Sequence, residues 1–234
     1  MDVKSPNIAI TAPFRDGAGY LAEFIEQINS LDYPAENIRI FCIEGDSKDN
    51  TWQLLTDWVL SDKRVKLIRY DTGQPKYPST VNPDRFRHLS KVFNTCLASS
   101  LADGWADYVC LIPSDVIFGP DLLKGLLQHN KDIISPMYWT GDHPNGSRFY
   151  DIWGYKDLEG IPFPPRSFAW YQTEFPTDGP VQLQTTGGVM LSRREVLEAG
   201  CRYTETDVDH GLCWTATEKG YTIWCDPQTH IIHR

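Results

Sequence analysis

Two stretches of this chain set carboxylates just past the end of an apolar run. In "IRIFCIEGDSKDNT" the run closes on Glu44 and Asp46, followed by Ser47, Asp49 and Asn50. In "DYVCLIPSDVIFGPDLL" it closes on Pro113, Ser114 and Asp115. Carboxylates at such a place can accept hydrogen bonds from a nucleobase N–H or a ribose hydroxyl, or ligate a divalent cation. A structural role competes at each position. Asp49 or Asn50 caps the helix that follows, Ser47 suits a turn, and Asp115 could be a turn residue before "FGPD". A metal at a strand end usually takes a pair of carboxylates, and Pro113 stands where the first would sit.

Arg87, Lys91 and Asn94 recur at i, i+4 and i+7, so a helix carries them on one face. Two cations on such a face could neutralise a diphosphate, and a solvated charged face is the ordinary alternative. Cys213, Cys225, His230 and His233 could form a zinc site, although the close ligand pairs of such sites are missing.

Alternating elements must position these groups. "NIAITAP", "IRIFCIE", "RVKLIRY", "DYVCLI" and "DIISPMYW" read as strands. Between them, helices are expected over "GAGYLAEFIEQINSL", "DNTWQLLTDWVL", "DRFRHLSKVFNTCLASSLA" and "PDLLKGLLQHN". In the third of these, Phe86, Leu89, Phe93 and Leu97 form the face expected to be buried. Strand–helix alternation over residues 7–138 implies a mostly parallel sheet flanked by helices, with ligand sites beyond the carboxyl ends of its strands. Residues 139–180 break the pattern. They are dense in aromatics, glycine and proline, which suits an ordered insertion beside the site. After it come a strand over 188–191, a helix from 193, a helix over 208–219 and the strand "YTIWCD". A single domain over 1–234 is expected, with no internal repeat and no domain-scale linker.

Composition excludes some classes of partner. With 22 Lys and Arg against 31 Asp and Glu, the net charge of −9 and the absence of a basic block make nucleic acid an unlikely partner. No apolar run reaches the roughly 18 residues of a membrane span. The opening "MDVKSPNIAI" lacks the regions of a secretion signal. Six cysteines without C-x-x-C spacing read as buried thiols, which suit a reducing compartment, the cytoplasm by default.

The order of the motifs adds a resemblance. "P-F-R-D" after the first strand, "E-G-D-S-K-D-N-T" after the second and "L-I-P-S-D-V" after the fourth are similar to the GT-A (Rossmann-like) glycosyltransferases, family 2 being the nearest general match. "TGGVMLSRREVLEAG", "ETDVDHGLCWTATEKGY" and "IWCDPQTHIIH" match that family's G-G, its E-D motif and its late histidine. "TAPFRDGAGYL" also resembles the mannan-polymerase type mannosyltransferases.

The resemblance implies an α/β GT-A fold, with residues 1–138 binding a nucleotide sugar and 139–234, including the aromatic-rich insertion, forming the acceptor side. It implies transfer from a UDP- or GDP-linked sugar to an acceptor hydroxyl, on a glycan, with inversion. Thr11, Pro13, Arg15, Glu44 and Asp46 fall around base and ribose, with Arg87, Lys91, Ser114 and Asp115 also on the donor. Asp115 and His233 fall on the metal, Mn2+ in the first place and Mg2+ in the second. Asp207 falls on the general base and Gly187 and Gly188 on the acceptor. Trp139, Trp153, Trp170 and Tyr171 could stack on sugars or pack the insertion, and Trp153 is taken as an acceptor contact. Pro113 and Thr206 depart from the family pattern. They favour the alternative of a non-catalytic GT-A domain that binds nucleotide or glycan. A nucleotidyltransferase would need a glycine-rich, basic loop after the first strand, which is not there.

Overall fold

The computed structural model describes residues 5–77, 82–140, 148–149, 154–161, 178–208 and 210–234. Trp153, Trp170, Tyr171 and Asp209 lie outside the described residues, as does most of 139–180.

Among the described residues, ten strands form one sheet. The first part of the chain gives β1 (Ile8–Phe14), β2 (Ile38–Glu44), β3 (Val65–Arg69), β4 (Tyr108–Leu111), β5 (Val116–Phe118) and β6 (Ile133–Thr140). The later part gives β7 (Arg148–Phe149), β8 (Val181–Leu183), β9 (Met190–Arg193) and β10 (Ile223–His233). The order is β3-β2-β1-β4-β9-β6-β10-β5, with β7 on β6 and β8 on β10. The run β3-β2-β1-β4 is parallel, as is β6 with β10, while β9 and β5 are antiparallel to their neighbours.

Six α-helices among the described residues cover the faces: α1 (Leu21–Ser30), α2 (Thr51–Ser61), α3 (Pro83–Leu101), α4 (Leu122–Leu127), α5 (Arg194–Glu198) and α6 (Gly211–Thr217). Strand side chains alternate between faces, and the core divides accordingly. Ile8, Ile10, Ala12 and Phe14 of β1 join α1, α2 and α4 in one cluster, whereas Ala9 joins α3, α5 and α6 in the other. Side chains of this kind each contribute about 1.5–3 kcal/mol on full burial. Phe24 of α1 makes edge contacts with Phe14, Trp58 and Phe118 and so ties four elements together.

The expected elements form, with three differences. Val116–Phe118 is a strand rather than a turn, because its backbone pairs antiparallel with the far end of β10. That last strand runs on beyond "YTIWCD" to His233 through a register shift between Asp226 and His230. On α3, Leu97 is buried as expected, but Phe86, Leu89 and Phe93 are only partly so. No described helix is long and apolar enough to cross a membrane.

Candidate functional site

The carboxyl ends of β1, β2, β4 and β6, the start of β9 and the end of β10 meet along one edge of the sheet, which follows from their pairing registers. A cleft of about 700 Å³ opens there. Pro13, Arg15, Asp46, Ser114, Asp115, Gly188 and His233, all singled out above, line it.

The β5–β10 pairing sets His233 opposite Val116 and the Arg234 N–H on the Asp115 carbonyl at 3.1 Å. From α1, the buried Gln27 accepts the Phe118 N–H at 2.5 Å and fixes β5 in place. Asp115 Oδ2 and His233 Nε2 therefore lie 3.6 Å apart, just beyond hydrogen-bond distance, with 43% and 26% of their side chains exposed. A carboxylate and an imidazole at the mouth of a cleft fit a borderline divalent cation whose other ligands are oxygens of a bound molecule or water. Pro113 lines the same wall without offering a donor. Among the described residues, no group of three or more His, Cys, Asp or Glu is placed to hold a metal ion, so Cys213, Cys225, His230 and His233 form no zinc centre. Tyr20 shares this end of the cleft. Burial, reinforced by the Asp115 charge, pushes its phenol pKa up, against a hydrogen bond with Ser114.

At the other end, the strand tips are occupied by the protein itself. Glu44 is fully buried, accepting the Ser47 N–H at 3.2 Å and a charged hydrogen bond from Arg69 at 2.9 Å. It is not on the cleft wall. Asp46, with a left-handed φ of 58°, accepts from the Thr72 N–H and hydroxyl and from the Gly73 N–H. Burial would raise its pKa, but the Thr72 and Gly73 hydrogen bonds outweigh it and the net shift is down. Arg15 donates to the carbonyls of Gln74 and Pro75, and Lys76 reaches Asp16 at 2.6 Å. The strap 72–77 is thus latched across the tips of β1 and β2. The Arg15 Nε is buried and has no hydrogen-bond partner among the described residues. Thr11 is fully buried inside β1 with its hydroxyl on the Cys96 carbonyl, away from the cleft.

Helix α3 turns a different face to the cleft than the i, i+4, i+7 spacing implied. Arg85, Phe86, His88, Leu89, Val92 and Phe93 line it. Arg87 and Lys91 instead line a neighbouring depression, Arg87 paired with Asp84 at 2.6 Å and Lys91 3.9 Å from Glu205. Asn94 exchanges two hydrogen bonds with the Tyr203 backbone, pinning α3 to the segment before α6. Burial lowers the His88 pKa, and the charges of Arg15 and Lys91 add to the effect. Arg85 and His88 stand at i and i+3, a same-face pair that sequence reasoning could have found. Tyr20, Tyr70, Tyr138 and Tyr203 also line the cleft and carry no such signal.

Further along the chain, Gly188 has φ +71°, and a Cβ there would lie 1.6 Å from the Tyr138 hydroxyl, so only glycine fits. Gly187 is buried behind it. Asp207 is 24% exposed next to Val208, which lines the cleft. Its carboxylate accepts from the His210 N–H at 3.0 Å and lies 2.8 Å from His210 Nδ1. Burial raises its pKa, but the hydrogen bonds and charge of His210, with a further contribution from Lys156, bring it below the ordinary carboxylate value. Trp139 makes an edge contact with His230. It does not line the cleft, and Trp153 and Asp209 are outside the described residues.

The family model for the glycosyltransferase family 25 N-terminal domain matches residues 5–149. Procollagen galactosyltransferase 2 of Homo sapiens is 27% identical over 164 residues, 62% of this chain and 26% of that protein. A glycosyltransferase 25 family member of Drosophila melanogaster is 30% identical over 144 residues, 57% of this chain and 23% of that one. The inactive glycosyltransferase 25 family member 3 of Homo sapiens is 23% identical over 158 residues, 60% of this chain and 27% of that one. The chain spans about a quarter of the length of such relatives. Among solved structures, the mannosyltransferase PcManGT from Pyrobaculum calidifontis, in complex with GDP-Man and Mn2+, superposes with a TM-score of 0.61 at 15% identity, over 99% of this chain and 57% of that one. GalNAc-T7 with UDP, GalNAc and Mn2+ gives 0.68 at 12% identity, over 99% and 44%. The fold is that of the GT-A glycosyltransferases.

Proposed function

Since the chain belongs to glycosyltransferase family 25, we propose that it transfers a hexose from a UDP- or GDP-linked donor to an acceptor hydroxyl, with inversion and with a divalent cation, Mn2+ before Mg2+. The observation that carries this reading is the Asp115–His233 pair at the mouth of a cleft formed by the strand ends. In this reading residues 1–138 hold the donor and 139–234 the acceptor, a glycan.

Asp115 and His233 would hold the cation, which when bound neutralises charge on the departing diphosphate. Arg15 and Arg85, which line the same cleft, supply fixed positive charge to the same group. The Arg15 Nε, buried and without a hydrogen-bond partner among the described residues, supports this. Pro13 and Tyr70 shape the wall beside the base and ribose. Asp207 takes the proton of the acceptor hydroxyl as its oxygen attacks the anomeric carbon, while the bond to the diphosphate breaks and its electron pair leaves with the nucleotide. Gly188 lets the Tyr138 ring pack against the backbone at the cleft wall, where the acceptor would approach. Six buried thiols, none disulfide-bonded, support the cytoplasm as the compartment.

Pro113 favours a second reading, a GT-A domain that binds nucleotide or glycan without turnover, and one relative is described as inactive. Thermal melting with UDP or GDP tests the donor site shared by both readings. At about 100-fold excess over the dissociation constant, nucleotide with Mn2+ should stabilise the fold by about 2.7 kcal/mol, and nucleotide alone by much less. A melting temperature indifferent to every nucleotide–metal combination would sink both readings. Release of nucleoside diphosphate from a sugar nucleotide then separates enzyme from binding domain.

A further inference from the structure

We propose that His210 is a positioning residue for acceptor deprotonation, fixing the Asp207 carboxylate by hydrogen bonds to both of its oxygens. The proposal rests on the reading of Asp207 as the base. A carboxylate offers about four lone-pair sites. His210 engages one on each oxygen, through its backbone N–H at 3.0 Å and its imidazole Nδ1 at 2.8 Å. With both oxygens held, the carboxylate cannot rotate about its own bond, and the remaining lone pairs point in set directions. Because an ionised carboxylate only accepts, Nδ1 must carry the proton, which fixes the histidine tautomer.

The imidazole is itself held. His210 is 7% exposed, and its ring lies over Trp214 at 5.7 Å with a tilt of 36°. Lys156 Nζ stands 5.7 Å from the centroid of the same Trp214 ring. Opening of α6 does not need the ring bond. The Gly211 N–H reaches the Asp207 carbonyl at 2.9 Å, and the His210 N–H already closes the turn onto the side chain. The Nδ1 contact is additional to capping, and its effect is on carboxylate orientation and charge. Among the described residues, the charged and titratable groups around Asp207 are His210, Lys156 and the buried Cys213 thiol on α6, while Glu205 faces Lys91 instead. Besides its own backbone contact, His210 is the principal group holding the Asp207 pKa down. Without the ring it should move up towards the ordinary value.

Two substitutions separate orientation from packing. H210F fills the space without a donor, and H210N places an amide N–H near the position of Nδ1–H. The probe is hydrolysis of GDP-mannose and UDP-N-acetylglucosamine with Mn2+, water serving as the acceptor. For H210F, kcat should fall roughly 10- to 100-fold at unchanged donor KM, as expected for a misaligned reacting group. The acidic limb of its pH profile should move up, and H210N should recover most of the loss. Carbon NMR of the Asp207 carboxyl gives a readout independent of turnover: its titration should rise in H210F and stay near the parent value in H210N. Melting temperatures and nucleotide binding check that both variants fold. An unmoved Asp207 titration in H210F, or H210N as impaired as H210F, overturns the proposal. D207N serves as the control on the base itself. If D207N is slow while H210F hydrolyses at the parent rate, only the positioning role falls. If D207N hydrolyses at the parent rate, the base assignment falls, and the positioning role with it.

Discussion

Glu44 and Asp46 at the tip of β2, and Asp115 with His233 between β5 and β10, stand along one edge of one sheet, yet their partners differ. The first two are saturated: Glu44 by Ser47 and Arg69, Asp46 by three donors from the strap. Asp115 and His233 meet at 3.6 Å, too far for a firm hydrogen bond, in a more open setting. A carboxylate that already accepts several N–H and O–H bonds gains little from a ligand, because that ligand must displace partners the protein supplies. One that faces a partially exposed imidazole across the cleft mouth gains much. A motif places acidic groups at a strand tip, and the neighbouring backbone decides whether they serve the fold or a ligand.

The largest expected effect lies on the open side. Asp115→Asn and His233→Ala should each weaken Mn2+-dependent nucleotide binding roughly 10- to 100-fold or more, since even residues behind a metal ligand cost that much. Calorimetric titration of UDP and GDP with and without Mn2+ reads the effect. The melting temperature without ligand should move little for Asp115→Asn, which keeps the shape of a partly exposed side chain, and somewhat more for His233→Ala. Wild-type affinity in both variants would put the cation elsewhere.

Glu44→Gln should do the reverse. It removes a charged acceptor that is fully buried, although Arg69 remains partly exposed and can turn to water. The discounted cost is about 1–2 kcal/mol, or roughly 2–4 °C of melting temperature per kcal/mol in a chain of this size. Nucleotide affinity should stay at the parent level. A large loss of affinity at unchanged stability would make Glu44 a ligand contact after all.

The smallest effect is in the acid range. The folded pKa of Asp46 is below its ordinary value, so its contribution to stability is present above the unfolded pKa of about 3.9 and is lost as pH falls through the folded value. Asp46→Asn should therefore destabilise at neutral pH and converge with the parent in acid. Denaturant unfolding of both proteins across that window checks the sign. Curves that diverge as the pH drops would contradict the latch.

Much of the fold was legible because the chain alternates apolar strands with amphipathic helices, and period 2 against period 3.6 separates the two. Leu21, Phe24 and Ile28 were found this way and are buried. The same periodicity could not tell a core face from a cleft wall, so Phe86, Leu89 and Phe93 were expected inside. β5 was not visible as a strand, since three residues carry too little pattern and its pairing partner comes from the far end of the sequence. Asp115 and His233 were named from motif order, but their closeness depends on that pairing. Arg87 and Lys91 were chosen for charge and spacing, and the rotation of α3 offers Arg85 and His88 to the cleft instead.

The pairing of β5 with β10 also bears on how the molecule comes to work. Asp115 and His233 lie far apart in sequence, so the two meet only when β10 inserts between β6 and β5. Contacts between such distant parts of a chain close late, because the loop entropy is lost before the contact forms. A nascent or partly refolded chain can own the strand tips, the strap and the Arg15 donor and still lack the pair at the mouth. If the pair holds the proposed cation, metal-dependent nucleotide binding followed in time reports formation of the β5–β10 pairing rather than collapse of the sheet.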